Sequence, residues 1–387
     1  MTIYSQKITD AFQTVFSKIP SFIVRAPGRI NLIGEHTDYN EGFVLPAAID
    51  KAIYFAISPR TDRIGKLYAV DLNDSYEFSV DAIQKSSKSW ANYLIGVTSE
   101  LRTAGYVIPN GFEVAFGGDV PNGAGLSSSA AVESGMGFAL SELFGLKVPR
   151  LELALTAQRA EHHFAGLQCG IMDMFASIHG KAHSVIRLDC RDLSYEYFPF
   201  NFVNYQLVLC NSGVKHTLAD SAYNTRRQEC EAGVAILKQF YPHIHSLRDV
   251  SLAQVEAHRT DFFENVYRRC RYVTGEIERV VAACEDLKRD DLEAFGKKMY
   301  ETHEGLSKDY EVSCVELDFL VEQTFDKEEV LGARLMGGGF GGCTINIVKT
   351  EKVTDFIQQM IVSYQHHFNR KLVCHVVKIT EGVEKLN

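Results

Sequence analysis

A glycine-rich and serine-rich segment, residues 121–131 (PNGAGLSSSAA), restricts the fold most, because it joins a predicted strand to a predicted helix. Residues 123–125 carry little or no side chain, so backbone N–H groups there can approach an anion closely. Three serines, residues 127–129, then begin the helix, whose unpaired N–H groups and positive dipole end favour a phosphate. The segment lacks the GxxxxGK[ST] pattern of the common P-loop. Two interpretations remain at this point: a phosphate-binding loop, or a simple glycine turn with a serine N-cap.

A second segment, residues 25–40 (RAPGRINLIGEHTDYN), combines glycine and proline with many polar groups. Its ionisable side chains are Arg25, Arg29, Glu35, His36 and Asp38. Because we expect the preceding strand, 22–26, to end at Pro27-Gly28, the segment should form a loop, held on the core by its isoleucines and leucine. So many donors and acceptors suit a polyhydroxylated ligand, since each sugar hydroxyl both donates and accepts. A metal site and a solvated surface loop are the alternatives, but a single histidine is weak evidence for zinc.

Two further segments carry groups suited to a binding site. Residues 337–342 (GGGFGG) match GxGxxG by count, but residues 343–348 alternate like a strand, whereas a dinucleotide-binding fingerprint opens a helix. These glycines therefore favour a close approach of the backbone to another loop or to a ligand. Glu161 is predicted to end one helix, and Asp173 to lie near the start of the next element. The two carboxylates could be a metal ligand and a base, or only surface charge, and the histidines beside them are interpreted as packing or surface residues.

Strands and helices alternate over the first half of the chain, and helices dominate the second. The pattern predicts an opening amphipathic helix and strands over 22–26, 52–58, 113–116, 185–189, 206–210, 332–335, 344–348 and 372–379. It predicts helices over 127–143, 150–164 and 353–368, and mostly helical structure over 219–321. The length of 387 residues favours two or three domains. We place a boundary near residue 190, where the pattern changes, which gives domains 1–190 and 191–387.

Composition excludes several classes of protein. Lys and Arg total 40 against 49 Asp and Glu, a net charge of −9, which argues against nucleic acid or an anionic membrane as the main partner. The nine cysteines are odd in number and no two are spaced as CxxC, so we expect reduced thiols in a cytoplasmic protein. The first residues lack the pattern of a signal peptide. No uncharged apolar run approaches the roughly 18 residues of a membrane span.

Together these segments closely resemble the GHMP family of small-molecule kinases. Residues 121–130 are similar to the phosphate loop of that family, and residues 26–46 (APGRINLIGEHTDYNEGFVLP) are similar to the signature of its galactokinase branch. Further resemblances to that branch are CGIMD (169–173), DSAYNTRRQEC (220–230), DYEVSCVELD (309–318) and LMGGGFGGC (335–343). The matches cover nearly the whole chain. One departure is Met174, where many members carry Gln, which changes the side chain next to the predicted catalytic aspartate.

The resemblance implies roles for individual residues. Arg29 and Asp173 would form the catalytic pair beside the sugar hydroxyl. The galactose contacts would be Glu35, His36, Asp38, Gly170 and Tyr223. ATP would be held by Trp90, beside the adenine, and by the loop residues Gly123, Ala124, Gly125, Leu126, Ser127, Ser128 and Ser129. The magnesium ligands would be Ser129 and Glu161. A core position is the alternative for Trp90, the only tryptophan.

The resemblance also implies a fold and a reaction. An N-terminal domain similar to the second domain of ribosomal protein S5 and a ferredoxin-like α+β C-terminal domain would form a two-domain α/β fold, with the active site in the cleft between them. The reaction would move the γ-phosphoryl group of ATP to the anomeric hydroxyl of D-galactose, with Mg²⁺ as the metal. We expect a cytoplasmic monomer that acts on these small molecules and has no nucleic-acid or membrane partner.

Two other functions remain open. A galactose and ATP sensor that regulates a partner would bind both ligands and catalyse little, although the intact Ser128-Ser129-Ala130 at the helix start favours an enzyme. The second is a related GHMP kinase that acts on another sugar, such as arabinose or N-acetylgalactosamine. A panel of sugars separates these functions. If Asp38 and His36 recognise the axial 4-hydroxyl, glucose should be a poor substrate.

Overall fold

The computed structural model describes residues 2–121, 125–200, 202–214 and 219–386. Its strands are β1 (Phe22–Asn31), β2 (Phe43–Val44), β3 (Pro46–Pro59), β4 (Ile64–Ala69), β5 (Asp74–Ser79), β6 (Phe112–Gly118), β7 (Ser184–Asp189), β8 (Tyr195–Pro199), β9 (Tyr205–Asn211), β10 (Val330–Met336), β11 (Cys343–Lys349), β12 (Val373–Val377) and β13 (Glu384–Leu386). Its α-helices are α1 (Ile3–Phe16), α2 (Ser89–Thr103), α3 (Ser128–Phe144), α4 (Arg150–Ala160), α5 (Met172–His179), α6 (Ala219–Leu237), α7 (Leu252–Ala257), α8 (Glu264–Lys288), α9 (Leu292–Glu304), α10 (Val315–Glu322) and α11 (Val353–Phe368).

The first sheet has the strand order β13-β1-β3-β6-β4-β5, and its pairings are antiparallel except for β4 with β6. Helix α1 packs on one face through the fully buried Ile8 and Phe12. On the other face, α3 and α5 contact β1 and β3, and α2 and α4 pack against α3. Strands β1 and β3 are therefore covered on both faces, which explains why their apolar residues follow one another without alternation.

Strand β1 corrects the sequence prediction, because it does not end at Pro27-Gly28 but continues to Asn31. Its pairing with β3 is irregular there: Pro27 faces Ala52 and Arg29 faces Ala48, so a step of two residues in β1 corresponds to four in β3. The irregularity accommodates Pro27, which has no N–H to donate to a regular ladder. Arg29 is therefore held on a strand rather than on a loop.

Helix α3 begins at Ser128, one residue later than predicted, and ends at Phe144. Ser127 precedes it with a φ of 55°, in the left-handed region, so the chain turns sharply before the helix. Gly135 lets the helix lie close to the sheet, because a side chain there would overlap the ring of Phe55. The glycine and serine segment is thus joined directly to a helix that is anchored in the core.

The second sheet has the order β10-β11-β9-β12 and is antiparallel throughout. Read from its other edge and numbered by position along the chain, the order is 4-1-3-2. Along the chain, helices α6 to α10 lie between β9 and β10, and α11 lies between β11 and β12. This is the ferredoxin-like arrangement. The ferredoxin-like prediction for the C-terminal half is confirmed, and α11 has the predicted bounds.

The third sheet, β2-β7-β8, connects segments from both predicted domains. The predicted boundary near residue 190 falls between β7 and β8, which pair with each other. Strand β13 also returns from the end of the chain to pair with β1. Strand pairing therefore crosses the boundary twice, and the division into residues 1–190 and 191–387 stays a prediction.

Two predictions about surface and redox chemistry can be compared with the structure. Among the described residues, none of the helices combines the length and the apolar character that a membrane span requires. The nine cysteines, all in the described part of the chain, are free thiols, and five of them are buried. This agrees with the expectation of reduced, packed cysteines.

We predict that Gly135→Ala destabilises the protein by about 1–3 kcal/mol, because the added methyl group would overlap Phe55 and lie 2.8 Å from Cβ of Ala26. The control is Gly275→Ala in α8, where the new carbon would lie 4.0 Å from Cδ2 of Leu252, so higher helix propensity should stabilise the protein by up to about 1 kcal/mol. Urea unfolding of both variants measures the difference. Equal effects would contradict the close packing of α3 on the first sheet.

Candidate active site

A cavity of about 230 Å³ lies where the loop after β1, the segment before α5 and the turn after β10 meet. Charged, aromatic, glycine and a few apolar or sulfur-containing residues line it: Arg29, Glu35, His36, Asp38, Leu167, Cys169, Gly170, Met172, Asp173, Tyr223, Gly337, Gly338, Gly339 and Phe340. Every residue predicted for the catalytic pair or for a galactose contact is on this wall. The roles of these residues stay predictions, but the fold brings them to one place from distant parts of the sequence.

Arg29 and Asp173 form a bidentate ion pair on the cavity wall. Nε of Arg29 donates to Oδ1 at 2.7 Å, and Nη2 donates to Oδ2 at 2.8 Å. The remaining amine, Nη1, donates to the carbonyl oxygen of Gly125, and the hydroxyl of Ser127 donates to Oδ2 of Asp173. Burial, the largest single cause, acts to lower the pKa of Arg29, but the charge and hydrogen bonding of Asp173 together with the charges of Glu35 and Asp38 outweigh it, so that pKa is raised. The carboxylate is thus fixed in orientation and joined to the predicted phosphate loop.

Asp38 packs against Gly170 on the same wall. A side chain at residue 170 would overlap the carboxylate of Asp38, so any larger residue there would force that carboxylate to move. Burial first, and the nearby charge of Asp173 second, raise the pKa of Asp38 to about 7. The Asp38 carboxyl group therefore changes its charge close to neutral pH.

His36 is buried and has a φ of 63°, in the left-handed region. Its Nε2 lies 3.2 Å from the carbonyl oxygen of Gly338, and its Nδ1 lies 2.8 Å from the hydroxyl of Tyr39. Because a carbonyl only accepts, Nε2 carries the hydrogen and Nδ1 accepts from Tyr39. Burial lowers the pKa of His36 to about 4, so the imidazole is neutral. The hydroxyls of Tyr39 and Tyr310 lie 2.7 Å apart and continue this chain of hydrogen bonds.

The predicted magnesium ligands, Ser129 and Glu161, are close enough to interact, since Ser129 acts to lower the pKa of the Glu161 carboxyl group. Sγ of Cys169 lies 3.5 Å from Oε2 of Glu161. Burial is the main cause that raises the pKa of Glu161. A hydroxyl oxygen and a carboxylate oxygen suit a hard divalent cation such as Mg²⁺. Within the described ranges no group of three or more acidic, histidine or cysteine ligands occurs, so other oxygens, such as those of phosphate, would complete the coordination.

Glu133 is a carboxyl group that the sequence analysis missed. It is fully buried one helical turn after Ser129, and no described residue donates a hydrogen bond to either of its oxygens. Burial first, and the adjacent Glu161 second, raise the pKa of Glu133 well above its usual range. Two carboxyl groups therefore lie close together beside the predicted metal site, and the charged form of each is disfavoured.

The predicted phosphate loop is described only in part, since Gly123 and Ala124 lie outside the described residues. Leu126 is buried, and its carbonyl oxygen accepts from the backbone N–H of Arg29 at 3.2 Å. Ser128 is the first residue of α3. The loop is thus tied to β1 on one side and to α3 on the other.

Trp90, predicted to lie beside the adenine, is not on the wall of the cavity. Its Nε1 donates to Asp74 at 2.9 Å, and its ring centroid lies 5.8 Å from that of Phe116. It packs at the edge of the core, as the alternative interpretation of this residue expected. The contact with adenine stays a prediction.

The structure also places residues of these segments that lie outside the predicted site, and some that the sequence analysis missed. Arg25 does not line the cavity; its Nη2 donates to the carbonyl of Ile49 at 3.0 Å. The ring of His162 is bonded to the carbonyl of Cys169 at 2.8 Å, which agrees with a packing role. The sequence analysis also missed Tyr39, Tyr310 and Arg334 around the cavity. Tyr310 lies in a segment of family resemblance, but no local pattern distinguishes it from other tyrosines.

Three family models match this chain. The galactokinase galactose-binding signature matches residues 10–59, the N-terminal domain of GHMP kinases matches residues 92–181, and the C-terminal domain of GHMP kinases matches residues 253–365. Galactokinases from Roseiflexus sp. and Bacillus subtilis are each 43% identical, over 98% and 93% of this chain and 97% and 93% of their own lengths.

Solved structures give the same result. Lactococcus lactis galactokinase, crystallised with galactose, superposes with a TM-score of 0.94 at 36% identity and covers 98% of this chain and 99% of its own. Methanococcus jannaschii mevalonate kinase shares the fold, with a TM-score of 0.68 at 19% identity over 93% of this chain and 98% of its own. The fold and the site thus define a GHMP kinase.

Within that class, the chain belongs to the galactokinase family, so the resemblance seen in the sequence is confirmed. Its enzyme class is that of the ATP-dependent sugar kinases.

We predict that Glu133→Gln stabilises the protein, and more at pH 8 than at pH 5. Because the pKa of Glu133 is raised in the folded state, its protonated form favours folding, and that contribution is lost as pH rises above the usual pKa of a glutamate. The gain should grow by at most about 1.4 kcal/mol per pH unit. Urea unfolding at both pH values measures it, with Glu142→Gln, an exposed position of α3, as the control. A gain that does not change with pH would contradict the prediction.

Proposed function

We propose that this chain transfers the γ-phosphoryl group of ATP to the anomeric hydroxyl of D-galactose, giving galactose 1-phosphate and ADP. The observation that supports it most is the ion pair of Arg29 and Asp173, which lies on the wall of the cavity and is bonded to Gly125 and Ser127 of the glycine and serine segment. A sugar hydroxyl at Asp173 would thus be held next to the glycine and serine segment, which would bind the phosphates of ATP. The galactokinase relatives identify the sugar as galactose.

Asp173 orients the anomeric hydroxyl and takes its proton. Phosphoryl transfer passes through a loose transition state, so catalysis depends mainly on positioning and on charge stabilisation. A sugar hydroxyl is a far weaker acid than a carboxyl group, so its proton moves to Asp173 only as the O–P bond forms. Arg29 holds both carboxylate oxygens and adds positive charge beside the transferring group.

The phosphates of ATP bind at the start of α3. Its first N–H groups and its positive dipole end, together with the glycine segment, favour the negative phosphates. Ser129 and Glu161 would hold Mg²⁺, which supplies positive charge that neutralises phosphate oxygens. Trp90 contacts the adenine in this proposal.

Galactose is selected by fixed polar partners. Gly338 and Tyr39 engage both ring nitrogens of neutral His36, so the imidazole would meet the sugar as a ring of fixed orientation. Asp38, Glu35, Gly170 and Tyr223 complete the proposed sugar contacts. A site whose buried polar groups pair with particular hydroxyls rejects sugars that lack them much better than an apolar pocket does.

One chain supplies the whole proposed site, so we propose a monomer, which acts in the cytoplasm, where the nine thiols stay reduced.

Asp173→Asn tests the proposed chemistry. We expect kcat to fall by about 10²–10⁴-fold, the usual contribution of a positioned acid or base, because the amide cannot take the proton. ADP release at saturating ATP and galactose measures it. The matched control is Asp119→Asn, a partly buried carboxylate that accepts from Lys51 at 3.0 Å and does not line the cavity.

Near wild-type turnover of Asp173→Asn would remove Asp173 from this role. If the wild type binds galactose and ATP tightly but releases only traces of ADP, the chain is a sensor rather than a kinase. Equal turnover of glucose and galactose would contradict the proposed sugar selection.

Asp38 should make galactose binding depend on pH. Because burial raises the pKa of Asp38 to about 7, its carboxyl group is mostly neutral at pH 6 and mostly charged at pH 8. A charged carboxylate accepts hydrogen bonds from hydroxyls more strongly, so the Kd for galactose should fall as pH rises through 7. Titration calorimetry between pH 6 and 8 checks this, and Asp38→Asn should bind more weakly and without the pH dependence. A wild-type Kd that is constant over this range would contradict it.

A further inference from the structure

Arg334 ties the second sheet to the first at the edge of the cavity. Its side chain is fully buried, although it starts from β10 in the C-terminal half. Nε donates to the carbonyl oxygen of Leu32 at 2.7 Å, and Nη2 donates to the carbonyl oxygen of Asn31 at the end of β1. Nη1 donates to the carbonyl of Leu335. One guanidinium group thus satisfies carbonyls from both halves of the molecule.

The same guanidinium also contacts Glu35, a proposed galactose ligand. Nη2 of Arg334 donates to Oε1 of Glu35 at 2.9 Å, and the backbone N–H of Gly337 donates to the same oxygen at 2.7 Å. For the other oxygen, Oε2, the described residues provide no hydrogen bond. Glu35 is nevertheless almost fully buried and lines the cavity. One carboxylate oxygen is therefore occupied, and the other is available to a ligand.

Charge and shape both require an arginine at this position. A buried carboxylate needs a partner, because an unpaired charge in the protein interior is strongly destabilising. The planar fork of arginine reaches several acceptors at once, whereas the ammonium group of lysine is a compact point charge on a flexible stem. Lysine would keep the charge at residue 334 but could not hold Leu32, Asn31 and Glu35 together.

We propose that Arg334 is a positioning residue for the sugar: it fixes the rotation of the Glu35 carboxylate so that Oε2 faces a galactose hydroxyl. The inference rests on the proposed function, because it assumes galactose in the cavity. It links sugar affinity to the packing of the second sheet against the end of β1. Arg334 itself is not in contact with the cavity.

Arg334→Lys tests the proposal against Arg25→Lys. Arg25 is also a buried arginine; it donates to a carbonyl oxygen and pairs with Glu384 at 3.4 Å, but it does not line the cavity. We expect Arg334→Lys to raise the Kd for galactose at least tenfold, with the KM for ATP and kcat within threefold of the wild type. Arg25→Lys should leave the Kd for galactose unchanged. If Arg334→Lys is folded and binds galactose with wild-type affinity, the proposal is wrong.

A double-mutant cycle with Glu35→Gln shows whether Arg334 acts through Glu35. The Kd of the double variant for galactose should be no higher than that of the single variant with the higher Kd. If the two substitutions instead raise the Kd independently, so that their fold-changes multiply, the proposal is wrong. A set of galactose analogues that each lack one hydroxyl gives a second measurement. One analogue lacks the hydroxyl that faces Oε2 of Glu35, and the wild type and Arg334→Lys should bind it equally well. If the ratio of their Kd values is the same for every analogue, the proposal is wrong.

Glu35→Gln alone keeps the proposal testable if Arg334→Lys does not fold. It should lose the same selectivity among the analogues, and unchanged selectivity would overturn the role of Oε2. Phosphorylation of galactose by the wild type and by Arg25→Lys tests the proposed function separately, so failure of one is distinguishable from failure of the other.

Discussion

The guanidinium of Arg29 makes the contact on which the rest of the site depends. It donates to both oxygens of Asp173 and to the carbonyl of Gly125, so one rigid cation joins the carboxylate at the sugar cavity to the glycine and serine segment. Its own position is fixed by β1, whose irregular pairing with β3 lets the strand continue past Pro27. A bidentate arginine sets both the direction and the distance of its partner. Two segments that would each bind one ligand in the proposed function are thus held together by a single residue.

The site concentrates carboxyl groups at a cost to stability. Burial raises the pKa of Asp38, Glu133 and Glu161, and each raised pKa means that the charged form is disfavoured in the folded protein. Arg29 forms its ion pair with Asp173 rather than with any of these three groups. A cation held between Glu161 and Ser129 would offset part of the remaining negative charge, so its binding would also favour the folded state. Natural proteins often accept lower stability where function needs an unfavourable arrangement of charge.

The sequence predicted the framework and the signature residues better than it predicted their surroundings. Helix α11 and the strands of the second sheet have strong periodic patterns, and Arg29 and Asp173 were found through family resemblance. The predicted end of β1 was wrong because Pro27-Gly28 is a local signal for the end of a strand. The strand continues because it pairs with β3 on both sides of these two residues. Arg334 and Glu35 are 299 residues apart, so no local pattern reveals that they are in contact. Glu133 has an ordinary position on a helix, so its sequence neighbours do not reveal its surroundings either. Such roles depend on tertiary contacts and become visible only in three dimensions.

The last strand has a consequence for how this protein is made. β13 pairs with β1 beside the segment that carries Arg29, and the bonded residues Arg25 and Glu384 are 359 positions apart. During translation, β1 therefore emerges long before its edge partner exists, and its open side can pair with other strands until then. The first sheet is completed only when residues 384–386 leave the ribosome, so an early release of the nascent chain would leave the strand that carries Arg29 with an exposed edge.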